Sequence, residues 1–303
     1  MSGASNFVQG VDLTFIIILG ISVFFLIGIT AVMIYFVFRY SRKRNPKATN
    51  IEGNNTLEIV WTVIPLILVL IMFYFGWLGY HPMRQVPEGA IPVKATGQMW
   101  SWMFEYPNGK KSAELVVPLN KPVKLNLFSL DVLHSLYIPA FRIKEDVVPG
   151  KNNYMWFTAQ IEGEYDIFCA EYCGDRHSYM LSKVRVIPEV DYNNWLAQSD
   201  IPADEHPGLT LLKQNACITC HSLDGSKVIG PSFKGIYGHE VEVITETREE
   251  KTVMVDDEYI RSSLYEPNKE VVKGYNKGLM ISYKEQLKEE QVQQIIEFIK
   301  TLK

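Results

Sequence analysis

The sequence predicts a membrane-anchored, multidomain protein: a two-helix transmembrane hairpin, an antiparallel β-sandwich and a small all-α domain. Three observations predict it. Two uncharged apolar runs lie early in the 303-residue chain. Short β-prone runs separated by Pro, Gly and Asn come next. Helical periodicity then surrounds a C-x-x-C-H motif. The expected division is 1–90 for the hairpin, 91–190 for the sandwich, and 191–303 for a linker and the helical domain.

The average composition, 47% hydrophobic and 21% charged, hides an asymmetry. Most apolar excess precedes residue 80 and most charge follows it. A net charge of −4 argues against nucleic acid as a partner, because neutralising phosphates needs a basic face. The four cysteines, Cys169, Cys173, Cys217 and Cys220, fall into two close pairs. Such pairs favour cofactor sites over a disulfide framework.

The uncharged runs, about 13–38 and 59–80, each reach the roughly 20 residues that cross a bilayer as helix. Trp61, Trp77 and Tyr80 sit where membrane-interface aromatics sit. A signal peptide would be shorter and follow a basic segment, and no Lys or Arg precedes the first run. A buried soluble hairpin is the other alternative. The connector carries Arg39, Arg42, Lys43, Arg44 and Lys47, so the positive-inside rule puts it in the cytoplasm. Both termini and everything after Tyr80 are then expected outside. Glu58, just before the second run, reads as a charge marking the membrane boundary.

From residue 91 the runs IPVKATG, WSWMFEY, PVKLNLFSL, NYMWFTA, EYDIFC and KVRVIP read as strands of a sandwich. Asn108-Gly109 suits a hairpin turn with positive φ. The segment CAEYCGDRHSYM then brings Cys169, Cys173, His177 and Met180 close together, and His134 lies upstream in DVLHS. Two thiolates, two imidazoles and a thioether form a soft donor set that selects copper over hard cations. Cysteines four apart can arch over two metals, with one imidazole completing each. Met180 and the Glu171 carbonyl would be weak axial donors. The alternatives are a Cys169–Cys173 disulfide, a structural zinc and a mononuclear blue-copper site.

This segment, C-x-E-x-C-x-x-x-H-x-x-M, is similar to the binuclear CuA motif of cytochrome c oxidase subunit II, whose copper domain is cupredoxin-like. The resemblance covers roughly residues 10–190. It implies His134, Cys169, Glu171, Cys173, His177 and Met180 as copper ligands, with Glu171 acting through its carbonyl. It also implies a magnesium site shared with subunit I through the Glu171 side chain. In GQMWSWMFEY, Trp100 stands where the family has a tryptophan at which electrons enter; a packed aromatic core is the alternative. The E-x-x-W of Glu58 and Trp61 matches a glutamate at the mouth of a proton channel into subunit I.

After Pro188 the pattern turns helical. Cys217-Ile218-Thr219-Cys220-His221 is the attachment signature of c-type haem. Two thioethers would hold the porphyrin and His221 would bind the iron. A thioredoxin-like pair would need a βαβ setting, and zinc would need more ligands nearby. Leu209 and Leu212 mark one side of a helix before the motif. Val292, Ile295, Ile296, Phe298, Ile299 and Leu302 recur at helical spacing in a final helix expected to pack on it. GPSFKGIYG resembles the loop that lies against the haem in class I cytochromes c. Met280 stands where that family keeps its axial methionine, though Ile281 replaces the usual proline. Met254, in the acidic stretch EVEVITETREEKTVMVDDE, is the rival; that stretch reads as a solvated insert. His206 and His239 read as surface residues and His81 as structural.

Taken whole, the chain resembles the fused subunit II of caa-type haem-copper oxidases. The resemblance implies a relay from an external donor, cytochrome c or a quinol-oxidising complex, through haem c and CuA to haem in subunit I. Oxygen would be reduced to water on that partner. Other membrane subunits, the lipid bilayer and a bacterial inner membrane with the cofactor domains on the periplasmic side are also implied. The rival functions are the small subunit of a CuA-containing nitric oxide reductase and a membrane-anchored electron carrier. Quinol oxidase subunits lack the copper ligands, and a nitrous oxide reductase needs a propeller domain for which there is no room.

Overall fold

In a computed structural model, residues 3–47, 50, 52–198 and 205–303 are described. The uncharged runs form helices α1 (Val8–Arg39) and α2 (Asn55–Tyr80). The Asn54 side chain caps α2 by accepting from the Leu57 N–H, which satisfies one of the free donors of the first turn. Glu58 lies in that turn, where a carboxylate suits the positive end of the helix dipole. Neither helix buries a residue against the rest of the chain. Their apolar sides are free for lipid or a partner, and helical hydrogen bonding satisfies most of the backbone polar groups inside the spans; Pro65 in α2 has no N–H to donate to the carbonyl four residues before it.

Both outer ends of the hairpin are tied to the sandwich. Before α1, Asn6 N–H donates to Thr158 O at 3.1 Å and the Ser5 hydroxyl to Phe141 O at 2.9 Å. Arg142 pairs with Asp12 at 2.8 Å. After α2, a short 3-10 turn over His81–Arg84 lets Arg84 pair with Glu145 at 2.7 Å. The Trp156 indole donates to Pro82 O at 3.2 Å. His81 stacks on Trp77 with ring centroids 5.2 Å apart, a structural role. The basic connector is therefore at the end of the hairpin away from the sandwich, as the charge pattern predicts.

The sandwich contains β1 (Ile91–Gln98), β2 (Ser101–Glu105), β3 (Lys111–Ser112), β4 (Leu115–Pro118), β5 (Pro122–Ser129), β6 (His134–Ile138), β7 (Ile143–Val147), β8 (Asn153–Thr158), β9 (Gly163–Cys169) and β10 (Leu181–Ile187). One sheet runs β3-β2-β1-β5-β8 and the other β4-β10-β9-β6-β7. Most pairings are antiparallel, as expected, but β1–β5 and β4–β10 are parallel. The reason is connectivity: the chain crosses to the other sheet as β4 before returning as β5. Alternation within the strands buries Trp102, Phe104, Leu125, Leu127 and Ile167 between the sheets. The turn at 107–110 differs in one respect from its expectation. Only Gly109 takes positive φ, at 87°, while the Asn108 side chain accepts from the Lys110 N–H.

Helix α3 (Glu189–Ala197), which the sequence pattern groups with the last part of the chain, sits on the sandwich instead. Tyr192 is buried there, and Trp195 meets Tyr106 edge-on at 4.9 Å. An aromatic cluster of this kind outweighs the change of secondary structure that marks a boundary in the sequence. The expected linker beyond it includes residues 199–204, which lie outside the described ones.

The last part holds α4 (Pro207–Gln214), α5 (Asp257–Tyr265) and α6 (Glu289–Thr301). Val292, Ile295, Ile296, Phe298 and Ile299 are buried on α6, facing Leu211 and Leu212 of α4. The crossing is close at Gly208. A Cβ there would lie 2.5 Å from Phe298 Cβ and would also strike the Gln294 carbonyl. Gly208→Ala is expected to destabilise this part by about 1–3 kcal/mol through overpacking, read as a lower midpoint of chemical denaturation. The acidic stretch is largely exposed, as expected of a solvated insert, with Val243 and Val255 buried, but it is ordered as strands. It supplies β11 (Glu240–Thr245) and β12 (Glu250–Met254), which β13 (Glu270–Val272), beyond α5, extends to a three-stranded sheet β12-β11-β13. Alternation of Val and Ile with Glu supplies its strand pattern. Its charges pair across strands, as Lys251 does with Glu270 at 2.6 Å and Lys273 with Glu250 at 2.8 Å.

Candidate copper and haem sites

Strand β6 ends the loop that delivers His134, and β9 ends on Cys169. Leu136 pairs with Cys169 in the ladder, so the imidazole and the first thiol meet at one rim of the sandwich. The chain then turns back through Cys173, His177 and Met180 before β10. Gly174 takes φ of 115° in this turn. A Cβ on it would lie 3.0 Å from the Trp100 ring, so only glycine lets the turn close over the indole.

The donor atoms converge. Cys169 Sγ and Cys173 Sγ are 3.8 Å apart, with His134 Nδ1 3.9 Å from the first and His177 Nδ1 3.5 Å from the second. Met180 Sδ lies 3.9 Å from Cys173 Sγ, and the Glu171 carbonyl oxygen 3.2 Å from Cys169 Sγ. A disulfide needs sulfurs about 2.0 Å apart, so the two cysteines are free thiols. All six residues expected as copper ligands therefore lie together.

Electrostatics show what the cluster lacks. Burial would raise Cys169, but a hydrogen bond with His134 and backbone bonds at Ser135 and Glu171 hold it down at about 7. Burial, and then the neighbouring Cys169 charge, push Cys173 up to about 12. Two thiolates side by side thus need positive charge between them. A metal pair supplies it and takes the thiols as thiolates outright. The soft donors fit copper.

The imidazole is held by Asp131, which sequence reasoning missed. Its Oδ1 lies 2.8 Å from His134 Nε2, and its Oδ2 accepts from Met99 N–H at 2.6 Å. This fixes Nε2 as the protonated nitrogen and leaves Nδ1 for a metal. The DxxH spacing in DVLHS was the available signal. Trp100 is buried, and its indole donates to Cys173 O at 3.0 Å. The packed-core reading and proximity to the copper cluster both apply to it. Trp102 meets His134 edge-on at 6.0 Å.

The second site starts where α4 ends. Cys217, Thr219 and Ile218 form a 3-10 turn, and His221 N–H donates back to Cys217 O at 3.0 Å. Cys217, Cys220 and His221 line a cleft of about 1340 Å³, counting its open mouth. Gly230, Met280 and Tyr283 line it too. Burial pushes the Cys217 thiol up to about 12 and also raises Cys220. Neutral thiols in an apolar cleft suit thioether formation better than a thiolate-bound zinc.

His221 Nδ1 donates to Pro231 O at 2.7 Å, and Phe233 stacks on the ring at 4.6 Å. The Nε2 is thereby left to face an iron. Burial lowers the His221 pKa against the effect of that hydrogen bond, which keeps the ring neutral as a ligand must be. A Cβ on Gly230 would come within 2.6 Å of the imidazole. Met254 is exposed on β12, outside the cleft that Met280 lines. His206 caps α4 by accepting from Gly208 N–H, and His239 is exposed.

Residues 1–75 match the family described as cytochrome c oxidase subunit II, transmembrane domain, and 110–187 match its periplasmic domain. Residues 206–303 match cytochrome c. Cytochrome c oxidase subunit 2 of Alkalihalophilus pseudofirmus is 32% identical over 243 residues, covering 74% of this chain and 71% of that one. This chain belongs to the cytochrome c oxidase subunit 2 family. The subunit 2 of Cereibacter sphaeroides is 31% identical over 61% of this chain and 73% of its own. The solved periplasmic domain of subunit II from Bradyrhizobium japonicum is 33% identical, covering 37% of this chain and 94% of that one, with a TM-score of 0.35.

As a subunit 2 with a fused cytochrome c domain, the chain is where electrons enter a terminal oxidase, an oxidoreductase complex that includes subunit I. The family implies CuA copper and haem c. The two apolar helices and the periplasmic-domain match make it a membrane-anchored protein with its copper domain outside.

Proposed function

We propose that this subunit 2 holds the copper pair with His134, Cys169, Glu171, Cys173, His177 and Met180, and a covalent haem with Cys217, Cys220, His221 and Met280. The observation that carries this reading is the convergence of two thiols, two imidazole Nδ1 atoms, a thioether and a carbonyl at one rim of the sandwich. When bound, haem c and the copper pair supply the one-electron centres that link an external donor to the haem of subunit I. The chain's own part is to hold those centres still. Asp131 orients His134, Pro231 O orients His221, and the buried surroundings of both sites exclude water. Cytochrome c or a quinol-oxidising complex is the donor class.

The division of labour follows the fold: residues 1–90 anchor, 91–198 with α3 hold copper, and 205–303 hold haem. The membrane is the bacterial inner membrane, with the cofactor parts in the periplasm. The Glu171 side chain, half-buried next to the copper cluster, is the candidate ligand for a magnesium shared with subunit I. Glu58 sits at the connector end of α2, where a carboxylate can take protons from the cytoplasmic side.

Metal analysis of the purified complex tests the reading. Beyond the copper of the partner's own haem-copper site, two coppers and one covalently bound haem per copy of this chain are expected; zinc in place of that copper pair contradicts it. Trp100→Phe keeps the buried ring but removes the indole donor to Cys173 O. It should cost about 0.5–1.5 kcal/mol of stability and slow electron delivery to copper while the copper spectrum stays. Unchanged delivery would make Trp100 a packing residue only.

A further inference from the structure

The mouth of the haem cleft faces the copper domain of the same chain. Gln98, the last residue of β1, and Met99, in the turn that follows, line the cleft beside Cys220 and His221. Ile229 and Leu279 pack against the sandwich core. They directly precede Gly230 and Met280, so the two loops that shape the cleft are also the loops seated on the sandwich. Tyr283, buried with its hydroxyl donating to Asn215 O at 3.2 Å, also lies within bonding reach of the Gln98 side chain.

One polar contact joins the two motifs themselves. Arg176 lies between Cys173 and His177 and is not a ligand. Its Nη1 donates to Thr219 O at 3.3 Å, inside the C-x-x-C-H turn. The guanidinium rests over the Tyr179 ring at 5.0 Å. The Thr219 carbonyl ends a 3-10 turn, and among the described residues Arg176 is its hydrogen-bond partner. A planar cation held by an aromatic ring can keep one N–H on such a carbonyl at little entropic cost. A lysine has no fork to divide between ring and carbonyl.

We infer that Arg176 is a latch seating the haem-attachment turn on the copper-ligand turn, so that the resting chain closes its haem cleft with its own copper domain. The inference rests on the cofactor assignment proposed above. It makes Arg176 a positioning residue whose loss opens the cleft without removing a ligand. It also directs an external donor to a face of the cytochrome part away from the sandwich.

The test uses the full-length, cofactor-loaded complex carrying Arg176→Ala or Arg176→Lys. Two readouts are taken besides turnover. Hydrogen exchange is followed at 227–231 and 277–281. The relaxation of the oxidised copper-pair EPR signal by ferric haem is also measured. With both optical spectra unchanged, the alanine variant should exchange about tenfold faster in those loops, the factor expected for one charge-assisted hydrogen bond. It should also lose much of the relaxation enhancement, and lysine should fall between. Wild-type exchange and relaxation in an alanine variant with intact spectra would overturn the latch. Should that variant fail to load copper, the unmutated complex decides. Protected loops with clear relaxation enhancement support closure, and fast exchange there overturns it. Absence of either cofactor spectrum in the unmutated complex would instead count against the cofactor assignment.

Discussion

Cys173→Ser abolishes the copper-pair signal and leaves the haem c spectrum unchanged. The geometry makes Cys173 the hub of the cluster. Its sulfur stands 3.8 Å from Cys169 Sγ, 3.5 Å from His177 Nδ1 and 3.9 Å from Met180 Sδ. A serine hydroxyl is a hard donor that stays protonated, so it neither bridges two soft metals nor balances their charge. Loss of an orienting partner alone costs roughly 10–100-fold in metal affinity, and loss of a bridging thiolate should cost more. Because the change adds no bulk, the sandwich should keep its fold. Copper content and near-infrared absorption read the effect directly. Retention of a full binuclear spectrum in this variant would remove Cys173 from the site.

His221→Ala should do the reverse. The imidazole is stacked on Phe233, bonded to Pro231 O and crowded by Gly230. Removing it takes away the proximal iron ligand and leaves a hole beneath the cleft. The cavity should cost about 2–5 kcal/mol of local stability, because neither Phe233 nor the Gly230 loop can collapse into it without breaking the Phe233 N–H to Ser222 O bond, 2.9 Å long. Haem c loses its low-spin spectrum, while the copper pair, held by residues on other strands, keeps its own. If both spectra vanish together, the two sites are not separately built.

The chemistry was more legible in the sequence than its support. Ligands cluster in short motifs because a metal or a porphyrin needs several donors within a few ångströms. The turn around Cys169 and Cys173 and the C-x-x-C-H turn could thus be read as sites. Asp131 left only the DxxH spacing as a signal because its work is indirect: it meets Met99 only once β1 and β5 lie side by side. Gly174 and Gly230 look like ordinary loop glycines until Trp100 and His221 press against them. The acidic stretch is exposed, as its charges suggest, but those charges hid the strand pattern carried by Val241, Val243 and Val253. Helix α3 misled for a different reason, since nothing local says that Tyr192 and Trp195 will find Tyr106. The contact between the Arg176 and Thr219 turns belongs to tertiary packing alone.

The central claim is that one chain carries both redox sites and delivers electrons to an oxygen-reducing partner. The most direct test is to purify the complex, record its visible and near-infrared spectra, and follow consumption of oxygen and of nitric oxide with a reduced donor. The account predicts a c-type haem peak, a binuclear copper band near the red edge of the visible, and oxygen consumption. A complex without either band, or one that consumes nitric oxide in place of oxygen, would contradict it.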